Sequence, residues 1–162
     1  MSAELDALQA TLAGEHAAVY VYGVLGGRAA DLQPASYRAA LSDAYAGHVT
    51  RRDELRRMVT ALGGVPVTSE ASYRLPPGLT TRTAISAEAL RTETACLEQY
   101  AALVAAAGPG STRRWAVTAL GDSTLTTLAF GATPTPLPGV TVVPTPSASS
   151  APSDPSSTSP SV

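Results

Sequence analysis

Lysine is absent from this chain of 162 residues: all 11 basic side chains are arginine. They face 13 acids, for a net charge of −2, which argues against a dedicated nucleic-acid binder. The arginine doublets Arg51-Arg52 and Arg56-Arg57 do not change that, because Asp53 and Glu54 are interleaved with them and the group winds round a helix as a solvated face. A single cysteine, Cys96, excludes an intrachain disulfide and any CxxC redox or zinc motif. It reads as a small buried hydrophobe. Aromatics are scarce, and no apolar run is long enough to span a bilayer. The first residues, Met1 to Asp6, are acidic rather than basic, unlike a signal peptide. These absences lead to an expectation of a cytoplasmic protein with neither membrane nor nucleic acid as partner.

What is present is an Ala-, Leu- and Val-rich chain suited to closely approaching helices. Apolar residues recur in steps of three and four, the seam of an amphipathic helix. Four such helices are predicted. The first runs over Ala3 to Gly26, with Ser2 as N-cap and the stripe Leu5, Leu8, Leu12, Glu15, Val19, Tyr22. The second covers Ala35 to Leu62, with Tyr37, Leu41, Tyr45, His48, Arg52, Leu55, Val59 and Leu62 inward. Gly63-Gly64 stops it. The third covers Thr83 to Ala107, on Leu90, Glu93, Leu97, Tyr100 and Val104. The fourth is capped by Ser111, reaches Gly131 and carries Val117, Leu120, Thr124 and Leu128 on one side.

Short links make two antiparallel hairpins. The middle link, Val65 to Arg82, holds Pro66, Pro76 and Pro77. Its roughly 18 residues reach about 55–60 Å when extended, whereas a helix of about 26 residues is only about 39 Å long. It can therefore run the full length of the bundle, and its prolines favour that extended path over a plain up-down-up-down bundle with a loose loop, giving an all-α four-helix bundle with one long crossover, the ferritin-like topology. After Thr133 Pro, Ser and Thr dominate, with almost no charge. That composition predicts a disordered tail over 141–162, while Leu137 and Val140 offer apolar anchors for Pro134 to Val140. The bundle is expected over 1–140.

A carboxylate on an apolar seam is costly unless paired, protonated or metal-bound. Glu15, His48, Glu93 and Asp122 interrupt the seams, and counting residues from the hairpin turns puts them at similar depth. Two readings follow. One is a buried hydrogen-bonded network of Glu15, Tyr45, His48, Arg51, Arg52, Glu93 and Asp122, in which arginine satisfies carboxylate geometrically. The other is a metal site on Glu15, His48 and Glu93, a donor set that suits iron or manganese. His16, adjacent to Glu15, points to a helix or subunit boundary. Tyr20, Tyr22, Tyr45 and Tyr100 read as core residues with a polar handle.

A set of short stretches resembles a known family: Gly14-Glu15-His16-Ala17-Ala18-Val19-Tyr20, His48 to Leu55, Ala71-Ser72-Tyr73 with Leu75-Pro76, Glu93 with Tyr100 to Val104, and Leu137-Pro138-Gly139-Val140. In order and spacing they are similar to the actinobacterial ferritin-like domain of unknown function, the DUF4439 type, over Leu5 to Val140. The resemblance implies a ferritin-like bundle and no established activity. Ferritin-like dimetal sites use one Glu on each of two helices and Glu-x-x-His on the other two. On that pattern Glu15, Glu93 and His48 match, Tyr45 replaces a Glu, Asp122 stands for a Glu, and Leu125 replaces a His. The expectation is thus a degenerate dimetal-type site in a non-catalytic structural or interaction module, a homodimer with no cofactor. The alternative is a metal-binding or redox protein with a reduced iron or manganese site.

Overall fold

The computed structural model describes residues 2–29 and 34–133. The expectations for Pro134 to Val140, and for a disordered tail over 141–162, lie outside the described residues. Among the described residues there are four helices: α1 Ala3–Ala29, α2 Ala35–Ala61, α3 Arg82–Ala106 and α4 Ser111–Ala129. None of them is long and apolar enough to cross a membrane.

Local chemistry sets the helix ends. Ser2 caps α1, its Oγ accepting the Leu5 N–H at 3.2 Å. The helix then runs through Gly26-Gly27, a pair that reads as ending or bending it, because Leu25 and Ala29 are both buried and hold the last turn to the core. Gly63 closes α2 with φ of 75°, donating to Thr60 O, while Gly64 donates to Val59 O. That pair of bonds is a Schellman closure, and the left-handed residue it needs is glycine. Thr81 caps α3 by accepting from Ala84 N at 3.2 Å. Ser111, expected as the cap of α4, is instead its first helical residue, with Gly110 in the capping position.

The middle connection is the long crossover that the length argument allowed and the prolines favoured. It climbs α1: Gln9 donates to Val65 O at 2.6 Å and accepts from Val67 N at 2.9 Å. His16 Nε2–H donates to Val67 O at 3.1 Å, so His16 faces the crossover. Further up, Tyr73 meets the Tyr20 ring at 5.4 Å. Leu75 and Leu79 then join the apolar cluster around Leu25 and Ile85, at the end of the bundle where α3 begins. The result is two antiparallel hairpins joined by a full-length crossover.

The interior is layered. One apolar cluster contains Tyr22, Leu25, Tyr37, Leu41, Ile85 and Phe130. At the other end Leu5, Leu8, Leu12, Leu55, Val59 and Leu103 form a second. Each fully buried leucine contributes about 1.5–3 kcal/mol. Between the two lies a polar layer, flanked by Ala18, Cys96, Tyr100 and Ala119.

Helix α4 departs from the predicted face. Its buried residues are Ala116, Ala119, Ser123 and Thr127, whereas Val117, Leu125 and Leu128 are exposed. Of the stripe Val117, Leu120, Thr124 and Leu128 predicted on one side, only Leu120 packs partly against the core. Small side chains let α4 approach the polar layer closely, Trp115 and Leu120 pack at its edge, and Val117, Leu125 and Leu128 point outward.

Candidate buried polar centre

Glu15, His48 and Glu93 are each 0% exposed and meet at mid-bundle. His48 sits between the two carboxylates. Its Nδ1 lies 2.7 Å from Glu15 Oε2, and its Nε2 lies 3.1 Å from Glu93 Oε1. Two carboxylate acceptors on one ring call for two N–H donors, the imidazolium form. Burial opposes that charge, but the hydrogen bonds and charges of Glu15 and Glu93 outweigh it, and the His48 pKa is raised above the usual 6.5. Burial alone would likewise raise Glu93. Its bond to His48 and the His48 charge, helped by Ser123 and Tyr22, instead hold it below the usual 4.5.

Hydroxyls complete both carboxylates. Tyr22 OH donates to Glu93 Oε1 at 2.6 Å, and its ring stacks on His48 with centroids 5.1 Å apart. Ser123 Oγ–H donates to Glu93 Oε2. Tyr100 OH donates to Glu15 Oε1. Burial, and then the neighbouring carboxylate, push both phenols far above their ordinary pKa, so they stay neutral donors. Burial followed by the charges of Glu15 and Glu93 also raises the Cys96 thiol, which keeps it protonated.

Arg51 supplies the second cation. It is 8% exposed, with Nε 3.8 Å from Glu15 Oε1 and its guanidinium 5.8 Å from the Tyr100 ring centre. Two carboxylates thus face an imidazolium and a guanidinium, and the buried charges balance. All four helices take part: Glu15 and Tyr22 from α1, His48 and Arg51 from α2, Glu93 and Tyr100 from α3, Ser123 from α4.

Three residues expected in this network lie outside it. Tyr45 is 41% exposed, because its neighbour Ala44 takes the inward position on α2. Arg52 turns away and pairs with Asp53 at 2.8 Å. Asp122 is at the right depth but on the solvent side, one residue round α4 from Ser123. Sequence reasoning missed Ser123 altogether, and it read Tyr22 and Tyr100 as core residues outside the network. The small-residue spacing Ala116, Ala119, Ser123, Thr127 was the available signal. Glu54, expected on a solvated face with arginine, accepts from Trp115 Nε1 at 2.6 Å.

The donor set does not fit a dimetal centre. Leu125 and Tyr45, at two ligand positions of the ferritin-like pattern, are both exposed. Both nitrogens of His48 already hold carboxylates, and a guanidinium stands beside Glu15. Among the described residues no group of three His, Cys, Asp or Glu has an arrangement suited to a metal ion.

A sequence profile described as a domain of unknown function, DUF4439, matches residues 7–142. The chain belongs to the DUF4439 family. The chain is similar to the crystal structure of a conserved hypothetical protein, Rv2844, from Mycobacterium tuberculosis. It superposes with a TM-score of 0.72 at 30% identity, covering 79% of this chain and 94% of that one. No curated protein matches. The DUF4439 match takes in every residue of the buried centre.

Proposed function

We propose that this DUF4439 chain is a ferritin-like bundle in which a charge-balanced hydrogen-bonded network takes the place of a dimetal centre. It serves as a non-catalytic structural or interaction module. The observation that carries this reading is His48: each ring nitrogen is committed to a buried carboxylate, leaving no lone pair for a metal. The long crossover and two-hairpin topology support the ferritin-like part. A buried network of this kind holds four helices in one register, because each member left unpaired would carry a heavy desolvation cost.

The rival reading is one iron or manganese ion on Glu15, His48 and Glu93. It requires His48 to release a carboxylate and Arg51 to withdraw from Glu15. Elemental analysis separates the two. Protein purified without chelator, then reconstituted with iron or manganese, is expected to hold far less than one metal per chain. Stoichiometric metal that disappears in Glu15→Ala would overturn the proposal.

A further inference from the structure

Helices α2 and α4 are the loosely joined pair of the bundle. Between them runs an open groove of about 760 Å³, lined by small residues that include Ala40, Ala44, Gly47 and Ala119. Leu125 stands on its α4 wall and is 65% exposed. Gly121, one turn before Leu125, is exposed in mid-helix, where glycine weakens a helix relative to alanine. An added Cβ there meets nothing within 4 Å, so packing inside this chain does not call for glycine. The close approach of another helix does.

Charge on this side of the bundle is sorted by end. Helices α2 and α4 run antiparallel: Trp115 is level with Glu54, to which it donates, and Ser123 is level with His48, since both bond Glu93. Asp43 and Asp122 therefore share one end, and Arg57 and Arg114 share the other. On α2, Asp43, Thr50 and Arg57 recur every seven residues and form one stripe. On α4, Arg114, Thr118, Asp122 and Leu125 follow at steps of four and three. All four charged residues are exposed, and among the described residues none forms an ion pair within the chain.

We infer that a second copy of this chain covers the α2–α4 face, forming an antiparallel twofold dimer. A twofold axis that lies in the face and crosses the helices at the level of Arg51 and Ala119 turns the acidic end of each copy over the basic end of the other. Asp43 then comes within two residues, about 3 Å of helical rise, of the level of Arg57 of the second copy. Asp122 comes equally near the level of Arg114 of the second copy, and each pair occurs twice by symmetry. Leu125 meets the level of Trp115 of the second copy, at the far end of its groove. A parallel arrangement would instead stack acid on acid. The face is about 28 Å long and two helix diameters, about 20 Å, wide, and its corrugation brings the area toward the about 800 Å² per partner of a stable interface. This dimer does not depend on what the buried centre holds.

Analytical ultracentrifugation of the full-length protein tests this. In low salt it is expected to sediment as a dimer, and added salt should weaken the association. Two charge-reversed variants probe the pairing: Asp43→Arg with Asp122→Arg, and Arg57→Asp with Arg114→Asp. Each alone should sediment as a monomer, with helicity unchanged by circular dichroism. An equimolar mixture of the two should restore the dimer, because every facing pair is again opposite in sign. Leu125→Asp should also give a monomer. Val117→Ser, about 80° round α4 from Leu125, should stay dimeric. A monomeric unaltered protein, a dimer that survives both reversals, or a mixture that stays monomeric overturns the inference. So does loss of the dimer in Val117→Ser but not in Leu125→Asp, which would put the contact on the other side of α4.

Discussion

Helices α1 and α4 both carry large apolar residues at helical spacing, yet they use them in opposite ways. Helix α1 turns Leu8, Leu12, Tyr22 and Leu25 inward, each at most 1% exposed. Helix α4 turns Ala116, Ala119 and Ser123 inward and leaves Val117, Leu125 and Leu128 outside. The difference follows from position. Helix α1 touches both α2 and α3 as well as the crossover, so wide side chains fill the space between three neighbours. Helix α4 packs mainly on α3 and must come close enough for the short side chain of Ser123 to reach Glu93. Periodicity locates a helix, but a close approach can select the small face rather than the large one.

The largest effect is expected at the polar centre that both helices reach, where a carboxylate can be removed. Glu93→Ala strips His48, Tyr22 and Ser123 of an acceptor at once, and breaking a buried ion pair from one side costs about 3–5 kcal/mol. Urea denaturation should show a drop of that size. Stability close to that of the unaltered protein would mean that solvent enters the centre and the network counts for little.

The α4 side is tested by enlarging a small inward residue. Ala119→Leu pushes α4 away from Tyr100 and is expected to cost about 1–3 kcal/mol through overpacking. A neutral or stabilising result would show that the approach of α4 is not close.

Proton linkage sharpens the picture at the shared centre. The raised His48 pKa means that its stabilisation is complete below the usual value of 6.5 and fades as pH rises through the folded-state value. For Glu93 the lowered pKa gives the reverse: stabilisation is complete above 4.5 and is lost as pH falls through the folded-state value. Both contributions are complete between pH 4.5 and 6.5. Thermal melts should therefore weaken on both sides of that window. His48→Gln should abolish the alkaline decline, and an alkaline decline that persisted in that variant would place its origin elsewhere.

The smallest effect is expected where the sequence pattern is most misleading. Val117→Ser alters a large apolar residue that is 53% exposed, and surface changes of this kind stay within about 0.5 kcal/mol. A loss matching that of a core leucine would restore the predicted face of α4.

Much of the bundle was legible because it rests on local rules. Ser2, Gly63 and the run from Gly108 to Gly110 mark boundaries through backbone chemistry alone, and the length of the crossover sets the topology by arithmetic. The depth of Glu15, His48 and Glu93 was also legible, since helical rise and hairpin closure place residues along an axis. The face was less so. On α2 the stripes Tyr37-Leu41-Tyr45-His48-Arg52 and Tyr37-Leu41-Ala44-His48-Arg51 fit a 3.6-residue period equally well, and packing chose the second. The same one-residue ambiguity sent Asp122 outward and Ser123 inward.

The sequence by itself determined the number of helices, the crossover and the level at which charge is buried, because capping, chain length and helical rise are properties of the chain. Only the tertiary structure decided which side of α2 and α4 faces the core, and that both His48 nitrogens are held by carboxylates. Rotation about a helix axis is settled by how neighbouring side chains fit together, and no residue carries that information alone.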